Sequence, residues 1–219
     1  MFVAIVPAYN EEKTIGSVVR NLFSHVDRVI VVDDGSSDAT ASLAEAAGAL
    51  VLRHKLNRGQ GASLETGHEY ARSINADYVL HFDADSQFSV DDIAPALTKL
   101  KQKNADILFG SRFLDQRSDI PWFKRYILLP FGRVFNWLWG APLLSDAHNG
   151  FRLLNKRALH AIHLTQDRMA HATEIPVQVK QYGLSYIEFP VQVMYREYGQ
   201  GLKGAGKIVY DLFIHKGIK

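Results

Sequence analysis

The sequence has no cysteine among its 219 residues. It therefore has no disulfide framework, no thiolate metal site and no cysteine nucleophile, which is consistent with a reducing compartment and makes the cytoplasm the default expectation. An excess of charge of one sign is also lacking, because 25 Lys and Arg residues oppose 23 Asp and Glu residues, for a formal net charge of +2. This balance gives no indication of a nucleic-acid partner, so any basic function has to be local.

A long uninterrupted hydrophobic run is lacking as well. The amino terminus enters an apolar run without a basic region or a cleavage site, so a signal peptide is not expected. The most apolar later stretch, residues 126–144, contains Arg133, Asn136, two prolines and two glycines. These interruptions argue against a transmembrane helix. No transmembrane segment is predicted, whereas a peripheral position at the inner face of a membrane stays compatible with the sequence.

The first half of the chain alternates short β-rich runs with helical patterns. Strands are expected at residues 3–6, 28–32, 49–53, 78–82 and 106–110, and helices at residues 12–23, 39–47, 59–73 and 90–101. Further along, helices are expected near residues 156–162 and 174–182 and a strand near residues 185–195. This alternation predicts an α/β fold, with a mostly parallel sheet flanked by helices, in a single domain.

Clusters of polar residues follow four of the five early strands. They are Pro7-Ala8-Tyr9-Asn10-Glu11, Asp33-Asp34-Gly35-Ser36-Ser37-Asp38, Asp83-Ala84-Asp85-Ser86-Gln87 and Ser111-Arg112. Each cluster alone is also typical of turns and helix caps. Because ligands of open α/β sheets bind beyond the carboxyl ends of the strands, the shared location of the clusters favours a binding site.

Asp83 and Asp85 are two acids separated by one residue at the end of a very apolar strand. An extended backbone would direct both carboxylates the same way. Two adjacent like charges need a cation, and a hard ion such as Mg²⁺ or Mn²⁺ takes oxygen ligands and leaves positions for substrate phosphates. The amide oxygen of Gln87 is a further candidate ligand. The alternative is an acidic loop that caps the helix beginning near residue 90.

Groups that could hold the rest of a phosphorylated substrate stand at neighbouring strand ends. Asp33 and Asp34 are placed to accept hydrogen bonds from a ribose or a base, and Tyr9 could stack on the base. The turn Gly59-Gln60-Gly61-Ala62 offers backbone amides to an anion. A dinucleotide-binding site is not predicted, because neither this turn nor the first strand-to-helix turn carries G-x-G-x-x-G.

Taken together, these clusters resemble those of the family-two glycosyltransferases, especially the branch of dolichol-phosphate mannose synthase and bacterial polyprenyl-phosphate sugar transferases. The resemblance spans nearly the whole chain and rests on six ordered motifs. They are 6–11 (VPAYNE), 32–40 (VDDGSSDAT), 57–62 (NRGQGA), 83–87 (DADSQ), 110–112 (GSR) and 146–152 (DAHNGFR). The resemblance implies a Rossmann-like GT-A fold that binds a nucleotide sugar in residues 1–115 and an acceptor in residues 116–219.

The resemblance also implies site residues and a cofactor. The nucleotide pocket would comprise Pro7, Tyr9, Glu11, Val32, Asp34, Gly61 and Ala84. The metal, Mg²⁺ or Mn²⁺, and the diphosphate would be held by Asp83, Asp85 and Gln87, and the catalytic set would comprise Asp83, Asp85, Arg112 and Asp146. The implied reaction is an inverting, metal-dependent transfer of a hexose from a donor of the GDP-mannose or UDP-glucose type.

The nature of the acceptor follows from what has to be activated. A hydroxyl acceptor needs a general base, whereas a lipid phosphate is already ionised and needs cations to hold it. Candidate cations at positions resembling the polyprenyl-phosphate branch are Arg112, Arg133, Arg196 and Lys203, and the predicted acceptor-binding set comprises Arg133, Arg152, Arg196 and Lys203. The late acidic pair of hydroxyl-directed relatives is absent, and Glu174 stands alone. This favours polyprenyl or dolichyl phosphate, brought to the site by an interfacial helix at residues 122–144.

Two alternatives from other functional classes remain at this stage. A soluble glycosyltransferase acting on a sugar hydroxyl in cell-envelope polysaccharide synthesis would use Asp146 or Glu174 as its base. A nonenzymatic nucleotide-sugar-binding module would bind the donor without turnover. The apolar segment at residues 122–144 could equally cover the sheet or form a dimer interface, and the sequence carries no signal for the oligomeric state.

Overall fold

A computed structural model describes residues 1–115 and 142–194. These ranges contain seven strands: β1 (Phe2–Ala8), β2 (Arg28–Asp33), β3 (Leu50–Arg53), β4 (Tyr78–His81), β5 (Ile107–Ser111), β6 (Arg152–Asn155) and β7 (Tyr186–Pro190). They also contain six α-helices: α1 (Ile15–Leu22), α2 (Thr40–Ala46), α3 (Gln60–Ser73), α4 (Ile93–Gln102), α5 (Lys156–Ala161) and α6 (His171–Gln181). A 3-10 turn at Val90–Asp92 leads directly into α4.

All seven strands form one sheet in the order β3-β2-β1-β4-β6-β5-β7. The pairs β1 with β2, β1 with β4, β2 with β3, and β5 with β7 are parallel. Strand β6 is antiparallel to both of its neighbours, β4 and β5. The predicted α/β architecture with a mostly parallel sheet is therefore confirmed, and each of the five strands predicted in the first half is present.

Strand β6 was not predicted, and it changes the order of the sheet. It pairs with β4 in the register His81 to Arg152 and with β5 in the register Phe109 to Arg152. Strands β4 and β5 are consequently not neighbours, although they follow one another along the chain. The insertion places the turn that precedes β6 at the same edge of the sheet as the residues that follow β4 and β5.

The sheet has an apolar core on each face because the side chains of a strand alternate between the two faces. In β1, Ala4, Val6 and Ala8 belong to one cluster, which α1 and α4 cover. Val3 and Ile5 belong to the other cluster, which α3, α5 and α6 cover. Because helices cover both faces of the sheet, the central strands can present side chains to a ligand only at their ends.

The boundaries of several elements differ from the predicted ones. Helix α1 begins at Ile15 instead of near residue 12, because residues 12–14 form a turn before it. Helix α6 begins at His171 instead of near residue 174. Strand β7 ends at Pro190, and a separate bridge joins Phe88 to Val193. Within the two described ranges, no helix is long and apolar enough to cross a bilayer.

Candidate active site

Asp83 and Asp85, two of the three predicted metal ligands, lie beyond the end of β4 and not on the strand itself. Strand β4 ends at His81, and the turn that follows contains Ser86 in the left-handed region, with φ 61°. The extended backbone that the sequence predicts between Asp83 and Asp85 is not observed, because residues 84 and 85 form a turn. The turn is fixed by two hydrogen bonds of Gln87: its backbone N–H donates to Asp85 Oδ1 at 3.0 Å, and its carbonyl accepts from Met194 N at 2.8 Å.

Asp83 is held between two elements that lie far away along the chain. The side-chain amide of Gln60 donates from Nε2 to Asp83 Oδ1 at 3.0 Å. On another side, a methyl group on Gly150 would collide with the carboxylate. Burial and then the charge of Asp85 raise the pKa of Asp83 to about 6. The pKa of Asp85 is also raised by burial.

The chemistry of this cluster fits a hard divalent cation. The raised pKa of Asp83 means that burial and the charge of Asp85 disfavour its ionised form more than Arg152, Gln60 and Arg112 favour it, and a divalent ion would supply further positive charge. Glu11 adds to the negative field, since burial and the charges of Asp85 and Asp38 raise its pKa. Among residues 1–115 and 142–194, no group of three or more His, Cys, Asp or Glu side chains could hold an ion. An ion at Asp83 and Asp85 therefore needs further oxygen ligands, from Gln87 and from a substrate.

Arg112 follows β5 and forms a two-pronged ion pair with Asp146. Its Nε lies 2.7 Å from Asp146 Oδ2, and its Nη2 lies 2.8 Å from Asp146 Oδ1. The backbone N–H of Arg112 and the side-chain amide of Asn149 also donate to Asp146 Oδ2, both at 3.1 Å. The side chain of Asp146 is 3% exposed and that of Arg112 is 24% exposed. Asp146 therefore orients Arg112, which retains an accessible surface.

Glycine makes the close packing behind Arg112 possible. The backbone of Gly110 lies so close to β6 that an added Cβ would lie 2.9 Å from the carbonyl oxygen of Phe151. A larger residue at position 110 would separate β5 from the turn that carries Asp146 and Asn149. The motifs at residues 110–112 and 146–152, distant in sequence, thus form one unit in the fold.

Arg152 does not occupy the position predicted for it. It was assigned to the acceptor, yet it is 1% exposed, and its Nη2 donates to the carbonyl of Ala147 at 3.2 Å. Burial lowers the pKa of its guanidinium to about 10, although the charges of Asp83 and Asp146 oppose this shift. Its position favours compensation of these buried carboxylates from inside the sheet instead of contact with a bulky acceptor.

Asp34, predicted to bind a nucleoside, is engaged by the protein itself. Its Oδ1 accepts from His54 Nδ1 at 2.7 Å and from Arg58 N at 2.9 Å, and its Oδ2 accepts from Gly59 N at 2.6 Å. Asp33 is fully buried and ion-paired with Arg53 at 2.9 Å. Three of the roughly four acceptor positions of the Asp34 carboxylate are thus occupied, so its first role here is to anchor the loop that precedes α3.

The other predicted nucleotide-pocket residues divide into exposed and buried ones. Tyr9 is 49% exposed and Pro7 is half-buried at the end of β1, so both have surface to offer a ligand. Val32 and Ala84 are buried in the apolar cores, and their side chains are not available to a nucleoside. An open groove beside the end of β2 is lined by Gly35, Ser36, Arg53, His54 and Lys55.

The predicted anion site at the start of α3 is also partly filled by the protein. Ala62 N donates to the carbonyl of Asp167 at 2.9 Å, and a Cβ on Gly61 would collide with the carbonyl of Gln166. Gly61 therefore serves the packing of the loop before α6 against α3. Of the predicted acceptor-binding cations, Arg133, Arg196 and Lys203 lie outside the described residues, as does most of the segment 122–144.

Glu174, one of the two candidate bases, is saturated with hydrogen bonds. Its Oε1 accepts from Thr165 Oγ1 at 2.6 Å and from Thr165 N at 3.0 Å, and its Oε2 accepts from Gln166 N at 3.0 Å. The carboxylate therefore ties the loop before α6 to that helix. Its role in the fold is structural.

Gln60 and Asn149 belong to the site but were not singled out from the sequence. Both stand inside motifs that carry the family resemblance, residues 57–62 and 146–152, in which other residues were assigned a role. The available signal was an amide side chain beside a glycine-containing turn. This pattern is common in loops, and only the spatial approach to Asp83 and Asp146 makes it informative.

Replacing Gly150 by Ala is expected to displace the Asp83 carboxylate. The added methyl group has no room, so we expect a loss of about 1–3 kcal/mol in the free energy of unfolding and weakening of Mn²⁺ binding by about tenfold. Urea unfolding and calorimetric Mn²⁺ titration measure the two effects. The control is Gly16→Ala in α1, where the nearest atom to the new Cβ is Arg20 Nη1 at 3.4 Å. Unchanged Mn²⁺ binding in Gly150→Ala would contradict the observed packing.

His171 is expected to make the protein sensitive to acid. It is 2% exposed, and burial followed by the charge of Arg152 lowers its pKa from 6.5 to about 4. Because the folded pKa is depressed, the neutral ring contributes stability above pH 6.5 that is lost as pH falls toward 4. At pH 5 the loss from this residue is about 2 kcal/mol. His171→Asn should reduce the difference in unfolding free energy between pH 7 and pH 5 by that amount, and an unchanged difference would refute this assignment.

Comparison with known proteins identifies the family of this chain. The family model described as glycosyl transferase family 2 matches residues 3–162. An uncharacterized protein of Methanocaldococcus jannaschii is 33% identical over 97% of this chain and 90% of its own length. The UDP-N-acetylglucosamine–dolichyl-phosphate N-acetylglucosaminyltransferase of Methanococcus voltae is 30% identical over 97% of this chain and 94% of its own length.

The fold has a close counterpart among solved structures. Glucosyl-3-phosphoglycerate synthase of Mycobacterium tuberculosis, in complex with Mn²⁺, UDP and glucosyl-3-phosphoglycerate, superimposes with a TM-score of 0.73 at 18% identity, over 97% of this chain and 77% of that one. The similarity confirms the predicted GT-A fold. Since the family model matches most of the chain, the protein belongs to glycosyl transferase family 2.

Proposed function

We propose that this protein is a metal-dependent hexosyltransferase that moves a sugar from a nucleoside diphosphate to a polyprenyl or dolichyl phosphate. The observation that carries the proposal is the juxtaposition, at one sheet edge, of an acidic pair that burial disfavours in its ionised form with an oriented cation. Asp83 and Asp85 supply the acidic pair. Arg112, locked by Asp146, supplies the cation.

In the proposed reaction, an oxygen of the acceptor phosphate forms a bond to the anomeric carbon of the donor sugar. The bond between that carbon and the diphosphate oxygen breaks, and its electron pair leaves with the nucleoside diphosphate. Attack from the opposite face inverts the anomeric configuration. A divalent ion held by Asp83, Asp85 and Gln87 would stabilise the negative charge of the leaving group. Arg112 is oriented to hold phosphate oxygens through charge-assisted hydrogen bonds.

A phosphate acceptor is favoured because both carboxylates that were candidate bases are already engaged. Asp146 accepts two hydrogen bonds from the Arg112 guanidinium and one from Asn149, and Glu174 accepts from Thr165 and Gln166. An ionised phosphate needs no such base. The name of the Methanococcus voltae relative points to the same acceptor class. The reaction would then occur at a membrane surface.

The donor is tested first by thermal stabilisation with a panel of nucleoside diphosphates. The Methanococcus voltae relative is a UDP-N-acetylglucosamine transferase and the Mycobacterium tuberculosis synthase binds UDP with Mn²⁺, so UDP with Mn²⁺ is expected to give the largest shift. A ligand at a hundred times its dissociation constant stabilises the native state by about 2.7 kcal/mol. A shift with GDP alone would reassign the donor. No metal-dependent shift with any nucleotide would overturn the enzyme assignment.

The acceptor is tested with a matched pair of lipids, a polyprenyl phosphate and the polyprenol of the same chain length. Transfer of radiolabelled sugar to the phosphate and none to the alcohol is expected. Transfer to the alcohol, or to a soluble oligosaccharide in preference to the lipid phosphate, would instead support an enzyme that acts on hydroxyl groups. Donor binding without transfer to any of these acceptors would support a nonenzymatic module.

A further inference from the structure

Gln60 links the start of α3 to the predicted metal site. It is the first residue of the helix, and its side-chain N–H donates to Asp83 Oδ1 at 3.0 Å. The side chain is half-buried, so the bond is partly shielded from water. The two residues are 23 positions apart in the sequence. Their contact therefore depends on where the turn before α3 is held.

That turn is held by contacts on both sides of Gln60. Before it, the backbone N–H groups of Arg58 and Gly59 donate to the Asp34 carboxylate at 2.9 and 2.6 Å. Gly59 has a φ of 108°, which an L side chain rarely adopts. After it, Ala62 N donates to the carbonyl of Asp167 at 2.9 Å. The backbone of Gln60 is thus fixed before any ligand binds.

A neutral amide is well suited to this position. Without an ion, the charge of Asp85 opposes that of Asp83, since it raises the Asp83 pKa. Repulsion of this kind would turn one carboxylate away from the other. A lysine or arginine could hold Asp83 in place, but its positive charge would repel the incoming ion. An amide donor holds the carboxylate and adds no net charge.

We propose that Gln60 is a positioning residue for metal binding, which holds the Asp83 carboxylate in the orientation that receives a divalent ion. Asp34 contributes indirectly, because it fixes the turn that carries Gln60. This inference rests on the proposed function, in which Asp83 and Asp85 hold the metal. Partners of metal ligands in other proteins typically change metal affinity by about 10- to 100-fold when they are replaced.

The test compares Gln60→Met with the wild type. Methionine keeps the length of the side chain and removes the donor. Calorimetric titration of Mn²⁺ in the presence of UDP should show a dissociation constant raised by about 10- to 100-fold. The dissociation constant of UDP in EDTA should stay within about twofold, because the turn still offers the same backbone. Gln102→Met, at the exposed end of α4, is the matched control and should change neither value.

The outcomes separate this inference from the proposed function. A Gln60→Met protein that is folded and has wild-type affinity for Mn²⁺ overturns the inference, as does an equal weakening of UDP in EDTA. If Gln60→Met is unfolded in the absence of metal, Gln60→Asn is measured in its place. The amide of asparagine is one methylene shorter, so we expect a smaller loss of Mn²⁺ affinity in the same direction. Wild-type affinity for Mn²⁺ in Gln60→Asn again overturns the inference. A wild-type protein without any Mn²⁺-dependent binding of UDP or GDP overturns the proposed function itself.

Discussion

Replacing Asp85 by Asn is expected to lower kcat/KM for sugar transfer by about 10²- to 10³-fold at saturating Mn²⁺. The substitution keeps the shape of the side chain and removes one of the two charges that would hold the metal in the proposed reaction. The pKa of Asp85 is raised by burial in the metal-free protein, so its ionised form has more to gain from a nearby cation than an exposed carboxylate has. Steady-state kinetics with radiolabelled donor measure the effect.

The matched control for this substitution is Asp91→Asn in the same connection between β4 and α4. Asp91 is exposed in the 3-10 turn. The transfer activity of the Asp91→Asn protein should therefore stay within about twofold of the wild type. Full transfer activity in Asp85→Asn at saturating Mn²⁺ would refute the assignment of the acidic pair to the metal. A loss in Asp91→Asn of similar size would show that the whole turn, and not the ligand, is sensitive to charge.

The sequence predicted the sheet well where its pattern is local. Strands β1 to β5 alternate with helices, and each contains a run of apolar or β-branched residues that is visible without tertiary information. Strand β6 was missed because it has only four residues, Arg-Leu-Leu-Asn, with a polar residue at each end. Its place between β4 and β5 depends on pairing with segments about 45 and 75 positions earlier in the chain, which no local pattern reveals.

The location of the site was predictable for a different reason. Polar clusters after parallel strands converge because the strand ends share an edge, and the structure brings Glu11, which follows β1, into electrostatic interaction with Asp85, which follows β4. The sequence does not reveal which carboxylates are free. Asp34 was assigned to a ligand, yet three donors of the chain's own loop occupy it. Such loop contacts depend on the final backbone path.

Burial was the other property that the sequence could not supply. Arg152 was grouped with the acceptor-binding cations because it stands in a motif that resembles the family, and such a motif carries no information on burial, which is rare for charged side chains. Its place in β6 opposite His81 puts it inside the sheet, where Asp83 and Asp146 compensate its charge. The failure to predict strand β6 and the failure to predict the burial of Arg152 therefore have the same cause. A correct assignment of β6 would have shown that Arg152 starts a central strand.

Disrupting the pair of Arg112 and Asp146 is the second substitution with a large expected effect. Arg112→Gln and Asp146→Asn should each lower kcat/KM by about 30- to 150-fold, which corresponds to about 2–3 kcal/mol for lost charge-assisted hydrogen bonds. If Asp146 acts only by orienting Arg112, the double variant should be no more than about threefold worse than Arg112→Gln alone. Kinetics of the two single variants and the double variant give the coupling energy, and urea unfolding verifies that each protein is folded.

A catalytic base at Asp146 predicts a different cycle. Its loss would add to the loss of Arg112, so the double variant would be worse than either single variant by roughly the product of the two effects. Asp167→Asn is the matched control, because Asp167 pairs with Arg58 at 3.1 Å on the surface, with side chains 49% and 55% exposed. An exposed pair of this kind contributes little, so kcat/KM should stay within about twofold. Additive losses of kcat/KM at Arg112 and Asp146 would support an enzyme that activates a hydroxyl acceptor.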